Sequence, residues 1–132
     1  MGVSLTDDVV AIGRLNAAYA DVITRRAFVE LGDLMLPGCS VHLDLVSAPA
    51  RTLAGPEALA GMLRSAMDRF DHFMFVIRNS VVDVDVAAGL AVGRMFMSEI
   101  RHDRSVEVWE ETHGMYEDDY LRVDGRWWFA ER

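Results

Sequence analysis

The sequence predicts an α+β domain, with helices in its N-terminal half and an antiparallel sheet in its C-terminal half. Two observations lead to this prediction. In the first 70 residues, apolar side chains recur at the three- and four-residue spacing of one helix face, and four runs rich in Val, Phe, Met, Ile and Trp fill most of the remainder. Strands joined by short turns pair antiparallel, and helices packed on one face of such a sheet give an α+β fold.

The helical half contains three predicted helices. The first begins at an N-cap near Thr6 and ends near Arg25. A short second helix covers residues 28–35 and closes at a Pro-Gly pair. After an alternating strand at 41–46 and a loop, a Gly-Pro pair opens the third helix, 55–70, where proline's missing N–H does no harm.

Four predicted strands follow, at 73–85, 90–101, 106–123 and 126–132. The Asp124-Gly125 break between the last two is a strong hairpin signal, because both central residues of a type I′ turn need a positive φ. Gly93 and Gly114 lie inside strands, at positions suited to bends that curve the sheet. We therefore expect a strongly curved antiparallel sheet with a concave face toward the helices.

Composition limits the classes of protein to consider. A chain of 132 residues with 52% hydrophobic residues fits one domain, 1–132, with a full core. The net charge of −8 argues against nucleic acid as a partner. A single cysteine, Cys39, cannot form an intrachain disulfide. Because no secretory signal and no apolar run of membrane-spanning length is seen, we expect a cytoplasmic protein without membrane contact.

Several short motifs resemble the SnoaL-like branch of the nuclear transport factor 2 (NTF2)-like superfamily. They are Tyr19-Ala-Asp21 in the first helix, Gly55-Pro56-Glu57 opening the third, Asn79 before the run 81–85, and the Gly114-x-Tyr116-x-Asp118 strand. The resemblance implies a cone of three helices on a curved sheet. It also implies a small apolar ligand, of polyketide-, steroid- or terpenoid-like character, and cofactor-free isomerase, cyclase or dehydratase chemistry.

Dehydratase-type relatives place a catalytic Tyr in the first helix, an Asp five residues later and a His before the strand Asn. Carried over to this chain, the Tyr is Tyr19, whereas the Asp position is Thr24 and the His position is Phe75. Neither threonine nor phenylalanine is a general base at neutral pH. The sequence is therefore compatible with two functions: an enzyme that uses other groups, or a non-catalytic ligand-binding or dimerisation domain.

The predicted site centres on Asp118, which shares a strand face with Tyr116 and Tyr120. If that face lines the cone, Asp118 would be the base and Tyr19 or Tyr116 the hydrogen-bonding acid. The alternative is that Asp118 only accepts hydrogen bonds from Arg or Trp neighbours. The predicted ligand pocket is lined by Thr24, Val41, Leu43, Phe73, Phe75, Asn79, Met95 and Met97.

Two further expectations concern partners. No metal or other cofactor is expected, because the four histidines lack ligand spacing and no Gly-rich phosphate loop is present. A homodimer is expected, because Trp128 and, by strand parity, Trp109 or Met115 lie on the outer face of the sheet.

Overall fold

The computed structural model describes residues 4–132, which form two α-helices, one 3₁₀ helix and six strands. The helices are α1 (Leu5–Arg25), the 3₁₀ helix (Phe28–Asp33) and α2 (Gly55–Met67). The strands are β1 (Met35–Leu43), β2 (Arg51–Ala54), β3 (Phe70–Asp85), β4 (Leu90–Asp103), β5 (Val108–Val123) and β6 (Arg126–Glu131). The predicted α+β class is confirmed. None of these described helices is both long and apolar enough to cross a bilayer.

The six strands form one open sheet in the order β2-β1-β6-β5-β4-β3. Strands β3 to β6 make the predicted antiparallel meander, and the turn that closes it has positive φ at Asp124 (51°) and Gly125 (78°), as expected. β1, however, pairs with β6 in parallel. The prediction of a fully antiparallel sheet is wrong at this pairing. Most of the chain separates these two strands, so no hairpin fixes their relative direction.

The largest local error of the sequence prediction lies between the 3₁₀ helix and β1. The predicted second helix ran to Met35 and closed at Pro37-Gly38, but the 3₁₀ helix ends at Asp33 and all three of those residues belong to β1. Met35 is fully buried and pairs with Phe129 of β6. Pairing with a distant strand therefore outweighs the local helical spacing. β2 was also missed; it lies in the expected loop and pairs with β1.

Helix α1 is fixed to the sheet through its first turn. Its N-cap is Ser4 rather than the predicted Thr6: the Ser4 hydroxyl accepts a hydrogen bond from the backbone N–H of Asp7 at 3.1 Å. Asp8 is buried, and its carboxylate accepts a hydrogen bond from the Trp127 indole N–H at 2.9 Å. This bond holds the start of α1 against β6 and so sets where the rest of the helix crosses the sheet.

The register between β4 and β5 determines which side chains face the helices. Tyr116 lies opposite Met95, and Asp118 lies opposite Gly93. Because Met95 is fully buried under the helices, Tyr116 and Asp118 lie on the same inner face. The inner face of β5 thus carries the aromatic and acidic residues of the predicted site.

Candidate functional site

A buried ion pair lies at the centre of the inner face. Arg132 Nε donates to Asp118 Oδ1 at 2.6 Å, and Arg132 Nη2 donates to Asp118 Oδ2 at 3.1 Å. The Tyr120 hydroxyl donates to Oδ2 at 3.3 Å. Both charged side chains are 0% exposed. We call Asp118 and Arg132 the sealed pair.

Three aromatic rings surround the guanidinium of the sealed pair. Its central carbon lies 4.1 Å from the ring centroid of Tyr19, 4.2 Å from that of Tyr116 and 4.0 Å from that of Phe129. Rings at this distance attract a cation through their quadrupoles. Although burial by itself would lower the pKa of Arg132, the Asp118 carboxylate outweighs it and raises that pKa above its ordinary value. Arg132 is therefore a permanent positive charge inside an aromatic cage.

One nitrogen of this guanidinium has no hydrogen-bond partner. Among the side chains of residues 4–132, Arg132 Nη1 is the buried polar atom left unsatisfied. An unsatisfied buried donor typically costs about 1–3 kcal/mol, so such atoms are rare and call for an acceptor. The cage therefore holds a donor that an oxygen atom from outside the chain could satisfy.

The two phenols beside Arg132 are donors rather than bases. Burial raises the pKa of Tyr19 despite the nearby Arg132 cation. Burial also raises the pKa of Tyr116 well above its ordinary value. Both hydroxyls therefore keep their protons at neutral pH and can only donate them into hydrogen bonds or toward a developing anion.

A second carboxylate–guanidinium cluster lies further along the same face of β4 and β5. Arg101 Nη1 lies 3.2 Å from Glu99 Oε2, and Arg101 Nε lies 3.1 Å from Glu110 Oε2. The side chains of Glu99, Arg101 and Glu110 are 22%, 20% and 35% exposed. We call these three residues the open triad. Burial raises the pKa of Glu99, and the charge of Arg101 only partly opposes this.

The structure brings together most of the predicted site residues. The Tyr19 ring lies 5.5 Å from Phe75 and 5.9 Å from Tyr116, with edge-to-face geometry. Thr24 Oγ1 accepts a hydrogen bond from the backbone N–H of Phe75 at 3.0 Å. Of the other predicted pocket residues, those buried in the core are Val41, Phe73, Met95 and Met97, and Leu43 packs against them.

Two expectations about the interior need correction. Asn79 does not join the predicted pocket: it is exposed, because a register shift between Ile77 and Asn79 moves it off the inner face. The hollow expected beside Tyr116 and Asp118 is filled by aromatic rings and the Arg132 guanidinium. Asp118 is thus paired with an arginine, which is the alternative that the sequence left open.

Sequence reasoning missed the partners of both clusters. Arg132 was not considered because 14 residues and a hairpin separate it from Asp118. Glu99 and Glu110 were overlooked because the facing of their strands was unknown. A signal was available for the open triad: Arg101 and Glu110 are directly opposite in the β4–β5 hairpin, and opposite charges favour such pairs.

Two cavities border the described residues. The first, of about 440 Å³, has a largely acidic rim that includes Asp83, Glu117, Asp119 and Glu131, and its lining also contains both members of the sealed pair, Asp118 and Arg132. The second, of about 750 Å³, lies between the 3₁₀ helix and α2. Within residues 4–132, no three His, Cys, Asp or Glu side chains are placed so that they could hold a metal ion.

Comparison with solved structures shows that this architecture is shared by remote relatives. The protein Kfla4162 from Kribbella flavida is 16% identical, with a TM-score of 0.84 over 97% of this chain and 89% of that one. A proposed scytalone dehydratase from Novosphingobium aromaticivorans is 23% identical, with a TM-score of 0.81 over 95% and 80% of the two chains. A hexachlorocyclohexane dehydrochlorinase, LinA type 2, is 16% identical, with a TM-score of 0.81 over 94% and 81%.

The TM-scores establish a common fold, and at these identities the activity has to be argued from the site. Among curated proteins, none gives a significant match. The model of the SnoaL-like domain family matches residues 4–132, which is nearly the entire chain. The chain therefore belongs to the SnoaL-like domain family.

Proposed function

We propose that this protein binds a small apolar molecule with a carbonyl or hydroxyl oxygen and catalyses a cofactor-free isomerisation, cyclisation or elimination. The observation that carries the proposal is the aromatic cage, in which a permanent cation with one unpaired N–H lies beside two protonated phenols. An apolar enclosure with a few convergent polar groups is the usual form of a small-molecule site.

The ligand would enter at the end of the inner sheet face where the open triad lies. Met95 is fully buried, whereas Glu99 and Glu110, on the same face, are partly exposed. Gly114, opposite Met97, is also exposed, and only the flexible Met97 side chain lies where a side chain at this position would be. A polyketide-, steroid- or terpenoid-like skeleton placed here would have its oxygen directed toward Tyr19 and Tyr116.

The donors of the cage would stabilise an enolate or a departing oxygen. When a proton leaves a carbon next to a carbonyl, negative charge develops on the carbonyl oxygen, and fixed donors in a dry site stabilise that charge strongly. Tyr19, Tyr116 and Arg132 Nη1 supply such donors. Asp118, predicted as the base, is enclosed and bonded to Arg132, so we propose that it positions the cation instead.

The names of two structural neighbours favour this class of reaction. One is a proposed scytalone dehydratase and the other a hexachlorocyclohexane dehydrochlorinase. Dehydration and dehydrochlorination are both eliminations, in which a C–H bond breaks while a leaving group departs. This chain has the same fold, and its phenols could assist a departing oxygen.

A second candidate, a non-catalytic ligand-binding domain, is favoured by one observation. Thr24 and Phe75 occupy the positions of the dehydratase Asp and His, and the Thr24 hydroxyl is already bonded to the backbone of Phe75. These two positions therefore join α1 to β3 instead of moving protons.

The experiment uses a panel of hydrophobic ketones and enones, with binding followed by calorimetry and products by chromatography. We expect turnover in the wild type and a loss of about 100- to 1,000-fold in kcat for Tyr19→Phe or Tyr116→Phe, which keep the rings but remove a donor. Tyr120→Phe is the matched control, since its hydroxyl is bonded to Asn16 and Asp118. Binding without turnover would favour the second candidate, and unchanged turnover in both variants would reject the cage as the site.

We also propose a homodimer through the outer face of the sheet. Met74, Phe96 and Met115 are exposed there on three adjacent strands, and Trp109 is 63% exposed. Exposed apolar side chains that adjoin across a sheet commonly mark an interface. Sedimentation should give a dimer at micromolar concentration and a monomer for Phe96→Glu; a wild-type monomer would contradict the proposal.

A further inference from the structure

We infer that Glu99 is the group that takes and returns the proton in the reaction proposed above, and that Arg101 and Glu110 position it. The inference rests on the proposed function but concerns a cluster outside the cage. A base needs a carboxylate oxygen that the substrate can reach, and Asp118 and Glu99, both on the inner face, differ in this respect.

Asp118 has no oxygen free for a substrate. Arg132 occupies both of its oxygens, the Tyr120 hydroxyl bonds one of them again, and the side chain is 0% exposed. Glu99 is bonded only through Oε2, to Arg101, and Oε1 accepts no hydrogen bond within residues 4–132. Because 22% of its side chain is exposed, Glu99 can be approached by a substrate from the solvent.

Glu99 also lies on the correct side of the cage. It pairs with Phe75 on one neighbouring strand and with Thr112 on the other. The Phe75 ring lies 5.5 Å from Tyr19 and 6.0 Å from Tyr116, so one side chain separates the carboxylate from the phenols. A substrate of a few rings could place its oxygen at the phenols and a C–H bond near Glu99.

The remaining members of the open triad fix the carboxylate. Arg101 is bonded to Glu110, and its guanidinium carbon lies 5.0 Å from the centroid of the Phe70 ring. Arg101 thus holds Glu99 Oε2, and Oε1 is left to accept the substrate proton. A guanidinium constrained in this way by a second carboxylate and an aromatic ring loses little freedom when it orients Glu99.

The proposed step is balanced without a co-reactant. The substrate C–H bond breaks, an O–H bond forms on Glu99, the electron pair of the C–H bond becomes a C=C bond, and the π pair of the carbonyl moves to its oxygen, which the phenols hold. In an isomerisation, Glu99 then returns the proton to another carbon and the carbonyl re-forms. In an elimination, the C–O bond to the leaving group breaks as the carbonyl and a C=C bond re-form, and the leaving oxygen takes the proton from Glu99 and departs as an alcohol or water.

The test measures exchange of substrate C–H protons for deuterium in D₂O, together with substrate binding, using the ketones of the panel. We expect Glu99→Gln to bind them with similar affinity but to lower the exchange rate by about 100- to 10,000-fold. Glu117→Gln, which changes an exposed carboxylate of β5, is the matched control and should exchange at the wild-type rate.

Arg101 and Glu110 are tested by the pH profile of exchange. Glu110→Gln should shift the pH at which the rate rises, because it disturbs the cation beside Glu99, while activity persists. Wild-type-like exchange in Glu99→Gln, with substrate still bound, would overturn the role of Glu99 but not the proposed function. Failure of the wild-type protein to bind any ketone would reject the proposed function and this inference with it.

Discussion

The inner face of the sheet carries two carboxylate–guanidinium clusters of similar chemistry and opposite accessibility. In the sealed pair, both side chains are 0% exposed and the cation is surrounded by three rings. In the open triad, the side chains are 20–35% exposed and one cation serves two carboxylates. Both clusters lie on strands β4 and β5 or directly after β6, and both combine carboxylates with one guanidinium. The extent of burial, rather than the residue type, therefore distinguishes them.

The difference shows how burial assigns roles to the same functional groups. A fully desolvated charge is stable only with its partner, so Asp118 and Arg132 each depend on the other. A partly desolvated carboxylate such as Glu99 keeps contact with solvent, and burial raises its pKa. The sealed pair is suited to fixing charge, and the open triad to moving protons.

The largest expected effect comes from removing one member of the sealed pair. Asp118→Leu leaves a buried guanidinium that cannot lose its charge, and should lower the free energy of unfolding by about 3–5 kcal/mol. The double variant Asp118→Leu/Arg132→Met removes both charges and should recover most of that loss. Urea denaturation followed by tryptophan fluorescence measures both.

The matched change in the open triad is Glu110→Gln, which should cost about 1 kcal/mol or less because its ion pair is solvent-screened. If Asp118→Leu destabilised the protein no more than Glu110→Gln, the contrast between the two clusters would be lost.

A smaller effect is expected from one glycine in each region. A Cβ at Gly93, opposite Asp118, would lie 2.9 Å from the Val81 carbonyl oxygen and 3.2 Å from the Tyr120 ring, both fixed. Gly93→Ala should therefore destabilise by about 1–3 kcal/mol. A Cβ at Gly114 would meet only the Met97 sulfur at 3.1 Å, which can move.

For Gly114→Ala we expect a change within about 1 kcal/mol, because alanine's lower backbone entropy offsets the close contact. Thermal denaturation of the two variants side by side provides the measurement. Equal losses would mean that the region near the open triad is packed as rigidly as the region near the sealed pair.

The smallest effect concerns the pH dependence of stability. Because the pKa of Glu99 is raised by folding, the folded chain binds this proton more tightly than the unfolded chain does. Stability from this group is present below the unfolded pKa, about 4.3, and declines as pH rises through the folded pKa. Glu99→Gln lacks this decline, so the free energy of unfolding of the variant should rise relative to that of the wild type as the pH increases above about 4.3. Parallel pH profiles would contradict the raised pKa.

Local patterns in the sequence were enough for much of the fold. The amphipathic spacing of α1, the proline that opens α2 and the Asp124-Gly125 turn each depend on residues close together in the chain. The four later strands were found to within three residues at each end, because their β-branched and aromatic residues differ sharply from the breaks between them. The pairing of β1 depends on β6, almost 100 residues away, and was missed.

For the candidate site, the sequence determined which strand face carries Tyr116 and Asp118, because side chains alternate along any strand. Only the tertiary structure decided that Arg132 closes over Asp118, that a bulge moves Asn79 outward, and that Glu99 stays accessible. Alternation is a property of the local backbone. Accessibility and ion pairing depend on which distant elements meet, and the packing of the whole chain fixes that.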